Sequence, residues 1–388
     1  MANEKQIPFV FGKRVEGVNF TDRVEETSRL KMNFLYGVNT ILISPRRMGK
    51  TSLVDRVCSL IDDDHIKIVK IDAFGLRCEA DFINAFATAV IKATSDKWDE
   101  LMANAKTFLS RFSPKISFGQ DPFSEFSISL ELSPRSRIAE DVLSLPELIA
   151  EKRGVRIIIC IDEFQQIGDF ADSLSFQKKL RSVWQLQRNV SYCLYGSKKH
   201  LMEKMFQSKS YPFYRFGDMV YLGKIDEEQW TEYICSRFEV TGKHISKEFA
   251  AEICRTADRY SSYVQQLAWL VWLNTDNEVT ADDMHYGIER LLDACEHIFI
   301  LQTESLSEYQ MNFLRALSDG ITAGFTKQAV VRSYRLGTTA NITRLKKSLS
   351  QKDLIVMTAP GTLEFSDPIL KLWLKRRLWK NRPYNVDE

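Results

Sequence analysis

Between Ile41 and Leu53 the chain reads Ile-Leu-Ile-Ser-Pro-Arg-Arg-Met-Gly-Lys-Thr-Ser-Leu. A short apolar run ends in a loop closing with Gly49-Lys50-Thr51, and an amphipathic pattern through Val54, Val57, Leu60 and Ile61 follows. Strand, loop and helix in that order build a cradle for phosphates. Each residue type there answers a chemical need. The loop amides and the helix N-terminus face the phosphates, and Gly49 lets the backbone come close. Lys50 reaches the β- and γ-phosphates, while the Thr51 hydroxyl takes a coordination place on Mg²⁺. The general pattern G-x-x-x-x-G-K-[ST] opens with glycine, where this chain has Ser44, a short polar residue that can also make the turn.

A second run carries the other half of the chemistry. Arg156-Ile-Ile-Ile-Cys-Ile-Asp-Glu-Phe164 is apolar at successive positions, as in a strand buried on both faces. It ends in adjacent carboxylates, Asp162 and Glu163. A strand-end Asp in this position holds Mg²⁺, usually through water, and its acidic neighbour suits a general base acting on the attacking water. Gly-Lys-Thr alone occurs in ordinary loops. Joined to an apolar strand ending in Asp-Glu, it specifies a P-loop nucleotide site.

Five strands are expected, over Thr40–Ser44, Ile66–Asp72, Val155–Asp162, Val190–Ser197 and Met219–Ile225, with helical patterns between the earlier ones. Strands alternating with helices form a parallel α/β sheet covered on both faces. Ligands bind at the carboxyl ends of such strands, where Ser44, Asp72, Asp162 and Ser197 fall. Ahead of the sheet, Pro8–Gly12 is extended and Phe20–Glu26 opens a helix with Thr21 or Asp22 as its cap. An insertion at about 105–150 contains a hairpin, Pro114–Phe118 and Phe126–Leu132 across Gly119-Gln-Asp-Pro122. It reads either as a flap on the core or as a projecting contact arm.

The expected organisation is a nucleotide-binding core over 1–225, a helical lid over 226–304 and a winged-helix domain over 305–388. Glu227–Phe238, Ser246–Tyr260, Ser262–Asn274 and Thr280–Leu301 all carry helical apolar spacing. In the last part, Ser307–Leu317, Thr326–Tyr334 and Thr338–Lys352 read as three helices. A hairpin, Leu354–Met357 with Thr362–Phe365, follows. If this motif meets duplex DNA as helix-turn-helix domains do, Thr338, Thr339, Asn341, Arg344 and Lys347 lie on the contacting helix. A winged helix used purely as a packing module is the competing expectation.

Charge bears on that choice. The net charge of the chain is only +2. Gly320–Glu388 nevertheless holds thirteen Lys/Arg against five Asp/Glu, a net of +8, and Gly320–Lys352 has seven basic residues and no acidic one. Such asymmetry points to an anionic partner, either nucleic acid or the chain's own acidic remainder. Lys371, Lys375, Arg376, Arg377, Lys380 and Arg382 crowd the final helix around Trp373 and Trp379. No apolar run is long enough for a membrane span, and the opening residues lack the apolar stretch of a secretory leader. Seven cysteines form no Cys-x-x-Cys pair, and reduced core thiols are expected. The expected compartment is the cytoplasm.

Several further matches give a family resemblance over nearly the whole chain. Phe20-Thr-Asp-Arg-Val-Glu-Glu26 is similar to a Phe-x-Gly-Arg-Glu-x-Glu box, and Ser44-Pro-Arg-Arg-Met-Gly-Lys-Thr51 to a Gly-Pro-Arg-Arg-x-Gly-Lys-Thr loop. Asp162-Glu-Phe-Gln165, Tyr195-Gly-Ser197 and Pro212-Phe-Tyr-Arg215 stand in matching places, and Phe365-Ser-Asp-Pro-Ile-Leu-Lys-Leu-Trp373 resembles the close of a winged helix. Together these resemble the archaeal-type ATPase family, in the signal-transduction (STAND) branch related to AAA+ ATPases. The resemblance implies a P-loop NTPase sheet of the ASCE/AAA+-like kind, with ATP and Mg²⁺ as cofactors. Its implied nucleotide contacts are Ser44, Pro45, Arg46, Arg47, Met48, Gly49, Lys50, Thr51 and Ser52, with Arg23 from the upstream box. Thr51 and Asp162 would hold the metal. Glu163, Lys50, Ser197 as γ-phosphate sensor and Arg215 as arginine finger would form the catalytic set. Arg215 pairing with Asp218 on the surface is the plainer alternative. The chain departs from the family at Ser44, at Asp22 and at Arg259-Tyr-Ser-Ser-Tyr263, which replaces a Gly-His-Pro-like turn.

Three functions fit these residues. The leading one is a slow ATP-driven conformational switch coupled to the winged helix. The second is a DNA-binding protein whose nucleotide is mainly structural. The third is a protein-interaction scaffold using the hairpin and the C-terminal helix, with a protein partner or, in a homo-oligomer, a second copy of the chain as the expected contact.

Overall fold

In a computed structural model, which describes residues 7–109, 115–117, 121, 125–130, 138–359 and 361–380, the five expected strands lie side by side in one sheet. They are β1 (Thr40–Ile43), β2 (Ile66–Asp72), β5 (Arg156–Asp162), β6 (Val190–Gly196) and β7 (Asp218–Tyr221). The spatial order is β2-β5-β6-β1-β7, and every neighbouring pair is parallel. Position in the sheet explains composition. All of β6 is buried, whereas β2, at an edge, turns Lys70 to solvent, where it pairs with Asp55 at 2.5 Å.

Register sets the strand ends level. Ile43 stands opposite Gly196, Ile161 opposite Leu194, and Asp72 opposite Asp162. The central strand β6 therefore separates β1, which feeds the Gly-Lys-Thr loop, from β5, which ends in Asp-Glu. The last strand is shorter than its apolar pattern suggests and stops at Tyr221, although the Leu222 amide still donates to the Ile43 carbonyl at 2.9 Å.

An aromatic core fixes these ends. Phe164, buried directly after Glu163, packs edge-on against Phe213 with ring centroids 5.4 Å apart. Trp184 stacks on Tyr192 of β6 at 4.0 Å. Truncating an aromatic side chain in such a core costs about 3–5 kcal/mol, so the turn after β5 is held by burial rather than by its own hydrogen bonds alone.

The inserted hairpin is the antiparallel pair β3 (Lys115–Ser117) and β4 (Ser127–Ser129). Phe126, Ile128 and Leu130 are buried in the same core. The Ile128 and Leu130 amides donate to Thr88 and Asn84 of the helix Glu79–Ala93, both at 2.9 Å. Its β4 side is a flap on the core rather than a projecting arm. Most of the turn expected at Gly119–Pro122, with Pro114, Leu132 and Arg382, lies outside the described residues.

Chain contacts divide the protein into two units, Arg14–Gly223, which holds the sheet, and Met1–Lys13 with Lys224–Glu388. The N-terminal segment, expected with the sheet, packs in the second unit. Phe9 lies 5.6 Å from Phe238, and Arg237 donates to the Pro8 carbonyl at 2.9 Å. The second unit contains helices Glu227–Val240, Lys247–Thr256, Ser261–Asn274 and Ala281–Glu304. Ser246 caps the second of these, and Thr280 with Asp283 closes a capping box on the fourth. Three further helices, Glu308–Ser318, Gln328–Ser333 and Thr339–Gln351, precede the hairpin β8 (Ile355–Ala359) and β9 (Thr362–Phe365). This is winged-helix order. Among the described residues no helix is long and apolar enough to cross a membrane.

Candidate nucleotide site

At the carboxyl end of the sheet, residues more than a hundred positions apart converge. Gly49 takes a left-handed φ of 85° at the start of the helix Lys50–Ser59, a conformation glycine adopts without strain. The next two residues then meet β5. Lys50 Nζ lies 3.2 Å from Asp162 Oδ1, and Thr51 Oγ1 donates to Asp162 Oδ2 at 2.7 Å. Lys50 is only 8% exposed. Its ammonium also lies 3.6 Å from Glu163 Oε1 and 5.5 Å from the Tyr195 ring centroid. A buried ammonium needs such company, because removing one charge of a buried pair leaves the other uncompensated.

Glu163 sits at φ 49°, in the left-handed region, where a non-glycine residue is uncommon and often functional. Its two carboxylate oxygens have different surroundings. Oε2 accepts from Gln165 Nε2, from Ser197 Oγ at 2.9 Å and from the Ser197 amide at 3.3 Å. Oε1 faces Lys50. Burial pushes the carboxyl up, but the Lys50 charge and the hydrogen bonds from Gln165 and Ser197 outweigh it and hold the group below the usual carboxylate range. Ser197 is thus joined to Glu163, at the position between β1 and β5 that strand order dictates.

The remaining expected site residues divide. Ser44 is fully buried, its φ is not left-handed, and its hydroxyl donates to the Pro45 carbonyl at 3.0 Å. A side chain therefore fits where the general pattern has glycine. Met48 is buried, while Arg46 and Arg47 are exposed on the loop, Arg47 with φ 67°. Ser52 accepts from the Val15 amide at 3.0 Å. Asp22, which replaces the glycine of the upstream box, takes φ 55° and Arg23 takes φ 64°. Consequently neither Thr21 nor Asp22 caps the helix Val24–Leu35; Arg23 occupies the cap position without a side-chain cap bond. These two turns direct the Arg23 guanidinium inward, where it donates to the Gly223 carbonyl at 2.6 Å and lies 3.5 Å from the Met48 carbonyl. Arg23 therefore braces the loop backbone.

Two expected residues lie apart from this cluster. Asp72 ends β2 in line with Asp162, but it is exposed and accepts from the Phe74 amide at 2.9 Å. Arg215 is exposed with φ 53°, its guanidinium 5.3 Å from the Tyr214 ring centroid. Asp218, its alternative surface partner, pairs instead with Arg29 at 2.6 Å and accepts from Asn33 at 2.9 Å. Sequence alone gives no role to two residues of the site, Gln165 on Glu163 and Tyr195 beneath Lys50. Both stood inside recognised motifs, and only the fold shows what they touch.

The donor set suits a nucleotide phosphate and a hard cation. Thr51 and Asp162 offer oxygen alone, the preference of Mg²⁺. Lys50 supplies the buried positive charge, and the helix that starts at Lys50 adds the positive end of its dipole.

In the second unit the basic residues have separate fates. Arg376 pairs with Glu289 at 3.0 Å, and Arg377 with Glu289 and Asp293 at 2.8 and 2.7 Å, so part of the basic excess docks on the helix Ala281–Glu304. Thr338 caps the helix Thr339–Gln351 by accepting from the Asn341 amide, and the Asn341 carboxamide donates to the Leu336 carbonyl at 3.0 Å. Both are committed locally. Thr339, Arg344 and Lys347 are exposed on the same helix. Arg259, in the departing turn, lies 3.5 Å from Asp226, and the Tyr263 hydroxyl donates to Asp367 at 2.6 Å.

Comparison with known proteins identifies the fold. A family model described as a probable winged helix domain matches residues 297–376. The Walker-type ATPase PABY2304 of Pyrococcus abyssi is similar over 95% of this chain and 99% of its own, with 17% identity and a TM-score of 0.68. The ORC2 protein of Aeropyrum pernix, solved as ADPNP–ADP complexes, is similar over 97% of this chain and 98% of its own, with 12% identity and a TM-score of 0.59. No curated protein matches. The chain has the fold of a P-loop ATPase with a C-terminal winged helix.

Proposed function

We propose that this protein binds ATP with Mg²⁺ at Lys50, Thr51 and Asp162, and hydrolyses it slowly with Glu163 as general base. The observation that carries this reading is the clasp of Asp162 by Lys50 and Thr51, with Glu163 beside it. An adenine nucleotide is favoured because the similar A. pernix ORC2 protein was solved with ADPNP and ADP. Mg²⁺, when bound, would neutralise phosphate charge that develops in the transition state. Lys50 adds positive charge from a buried site, where its field is little screened. Glu163 is held ionised and accepts a proton from water, and Ser197 fixes its orientation. Arg46, Arg47 and Arg23 serve the loop, the first two beside the phosphates and the third through its backbone. Arg215 is proposed as a finger supplied to a neighbouring copy, because it is exposed and lies apart from the cluster. Hydrolysis then acts as a conformational switch coupled to the winged helix.

A second reading, binding of duplex DNA by the winged helix with mainly structural nucleotide, is favoured by exposed Arg344 and Lys347 on a helix without acidic residues. Phosphate release from ATP by the full chain, in Mg²⁺ and in EDTA, with and without duplex DNA, separates the two. Release that requires Mg²⁺ supports the switch. DNA binding without any release supports the second reading.

A further inference from the structure

The tight turn Phe164–Asp169 after Glu163 brings Gln165 back over the carboxyl end of the sheet. Gln165 is 3% exposed, and its Nε2 donates to Glu163 Oε2. Its Oε1 is buried and has no hydrogen-bond partner. Leaving a buried acceptor unpaired is destabilising. An apolar side chain of similar size avoids that cost, so packing does not explain a glutamine here.

Gly196, the last residue of β6, supplies the room. A Cβ on Gly196 would fall well inside contact distance of Gln165 Oε1 and 3.0 Å from both Gln165 Cδ and Met202 Sδ. The φ of Gly196 is not left-handed, so its missing side chain serves close approach rather than backbone conformation. The next residue is Ser197, whose amide and hydroxyl donate to the same Glu163 oxygen. One carboxylate oxygen therefore takes three donors from two elements, and the other faces Lys50.

We infer that Gln165 is a positioning residue for Glu163, with Gly196 as its seat, and that the pair clamps Oε2 so that Oε1 alone is presented for proton transfer. This rests on the reading of Glu163 as the general base. It also gives the Tyr195-Gly-Ser197 sequence a physical reason: glycine admits the carboxamide, and serine completes the clamp. The amide orientation matters, since Gln165→Glu would set a second negative charge against Glu163.

Single-turnover hydrolysis and ATP affinity of the full chain test the inference. Gln165→Leu is expected to slow hydrolysis about tenfold while ATP affinity stays within about twofold, because a positioning loss appears in rate rather than binding. Gly196→Ala should match it, and the double variant should be no slower than either single one, since both remove the same contact. Melting temperature gives a readout free of activity. Gly196→Ala should lower it, and adding Gln165→Ala should recover most of the loss by vacating the space. Unchanged hydrolysis in Gln165→Leu, or melting losses that simply add, overturns the inference. Glu163→Gln, run alongside, separates the two levels: if it hydrolyses normally, the base assignment itself falls; if it is inactive while Gln165→Leu is normal, only the role of Gln165 falls.

Discussion

The Thr51 hydroxyl donates to Asp162 Oδ2 at 2.7 Å across 111 positions of sequence, and with the neighbouring Lys50–Asp162 pair at 3.2 Å it ties the segment after β1 to the end of β5. Thr51 and Asp162 both offer the hard oxygen that Mg²⁺ prefers. Thr51→Ala should abolish most of the gain in nucleotide affinity that Mg²⁺ confers and leave metal-free binding little changed. Calorimetry with and without Mg²⁺ measures this. Equal Mg²⁺ enhancement in both proteins would place the metal elsewhere.

Ser197 contributes both its amide and its hydroxyl to Glu163 Oε2. Ser197→Ala removes only the hydroxyl, so the carboxylate keeps its remaining donors. Hydrolysis should fall by about tenfold with ATP affinity retained. A variant that loses binding and rate together would instead make Ser197 a ground-state nucleotide contact.

How much of this was legible in the sequence follows from what each residue depends on. Asp162 ends one strand buried along its length and Ser197 directly follows another, and mostly apolar runs mark such strands directly. The pairing of Asp218 with Arg29 joins residues 189 positions apart and depends on how the helix Val24–Leu35 lies beside β7. Gln165 and Gly196 meet because β5 and β6 are neighbours and the turn after β5 folds back, facts of register rather than composition. Thr338 and Asn341 have side chains that suit DNA edges and local backbone contacts equally; in the structure Thr338 caps its helix and the Asn341 carboxamide donates to the Leu336 carbonyl. The basic run at the C-terminus looked uniform, yet Arg376 and Arg377 are paired and Arg344 and Lys347 are exposed.

Asp218 supplies a pH test. Hydrogen bonds from Arg29 hold its carboxyl below the usual range against the opposing effect of burial, with help from Asn33. A depressed carboxyl pKa adds stability above the unfolded value, about 3.9, and that stability is lost as pH falls through the folded value. Wild type should therefore melt above Asp218→Asn at pH 7, and the gap should close below about pH 4 as Asp218 takes up its proton. Because Arg29 is half-exposed, the gap will be small. A gap that persists unchanged at low pH rules out an electrostatic origin.

If the winged helix meets duplex DNA, the exposed Arg344 and Lys347 carry phosphate contacts, whereas Arg376 and Arg377 hold the C-terminal helix in place. Arg344→Ala with Lys347→Ala should then reduce the log–log salt slope of binding by about one to two units and leave ATP affinity unchanged. Arg376→Ala with Arg377→Ala should lower melting temperature more than it changes that slope. No measurable affinity of the full chain for duplex DNA at about 50 mM salt would make the winged helix a packing module.

The most direct test is the single-turnover rate of ATP hydrolysis by Glu163→Gln, measured beside its ATP affinity. The substitution keeps the size of the side chain and its place over Ser197, but it removes the carboxylate proposed as the base. A rate lower by about a hundredfold or more, with affinity retained, is the expected result. Hydrolysis at the wild-type rate would contradict it and remove Glu163 from the chemistry.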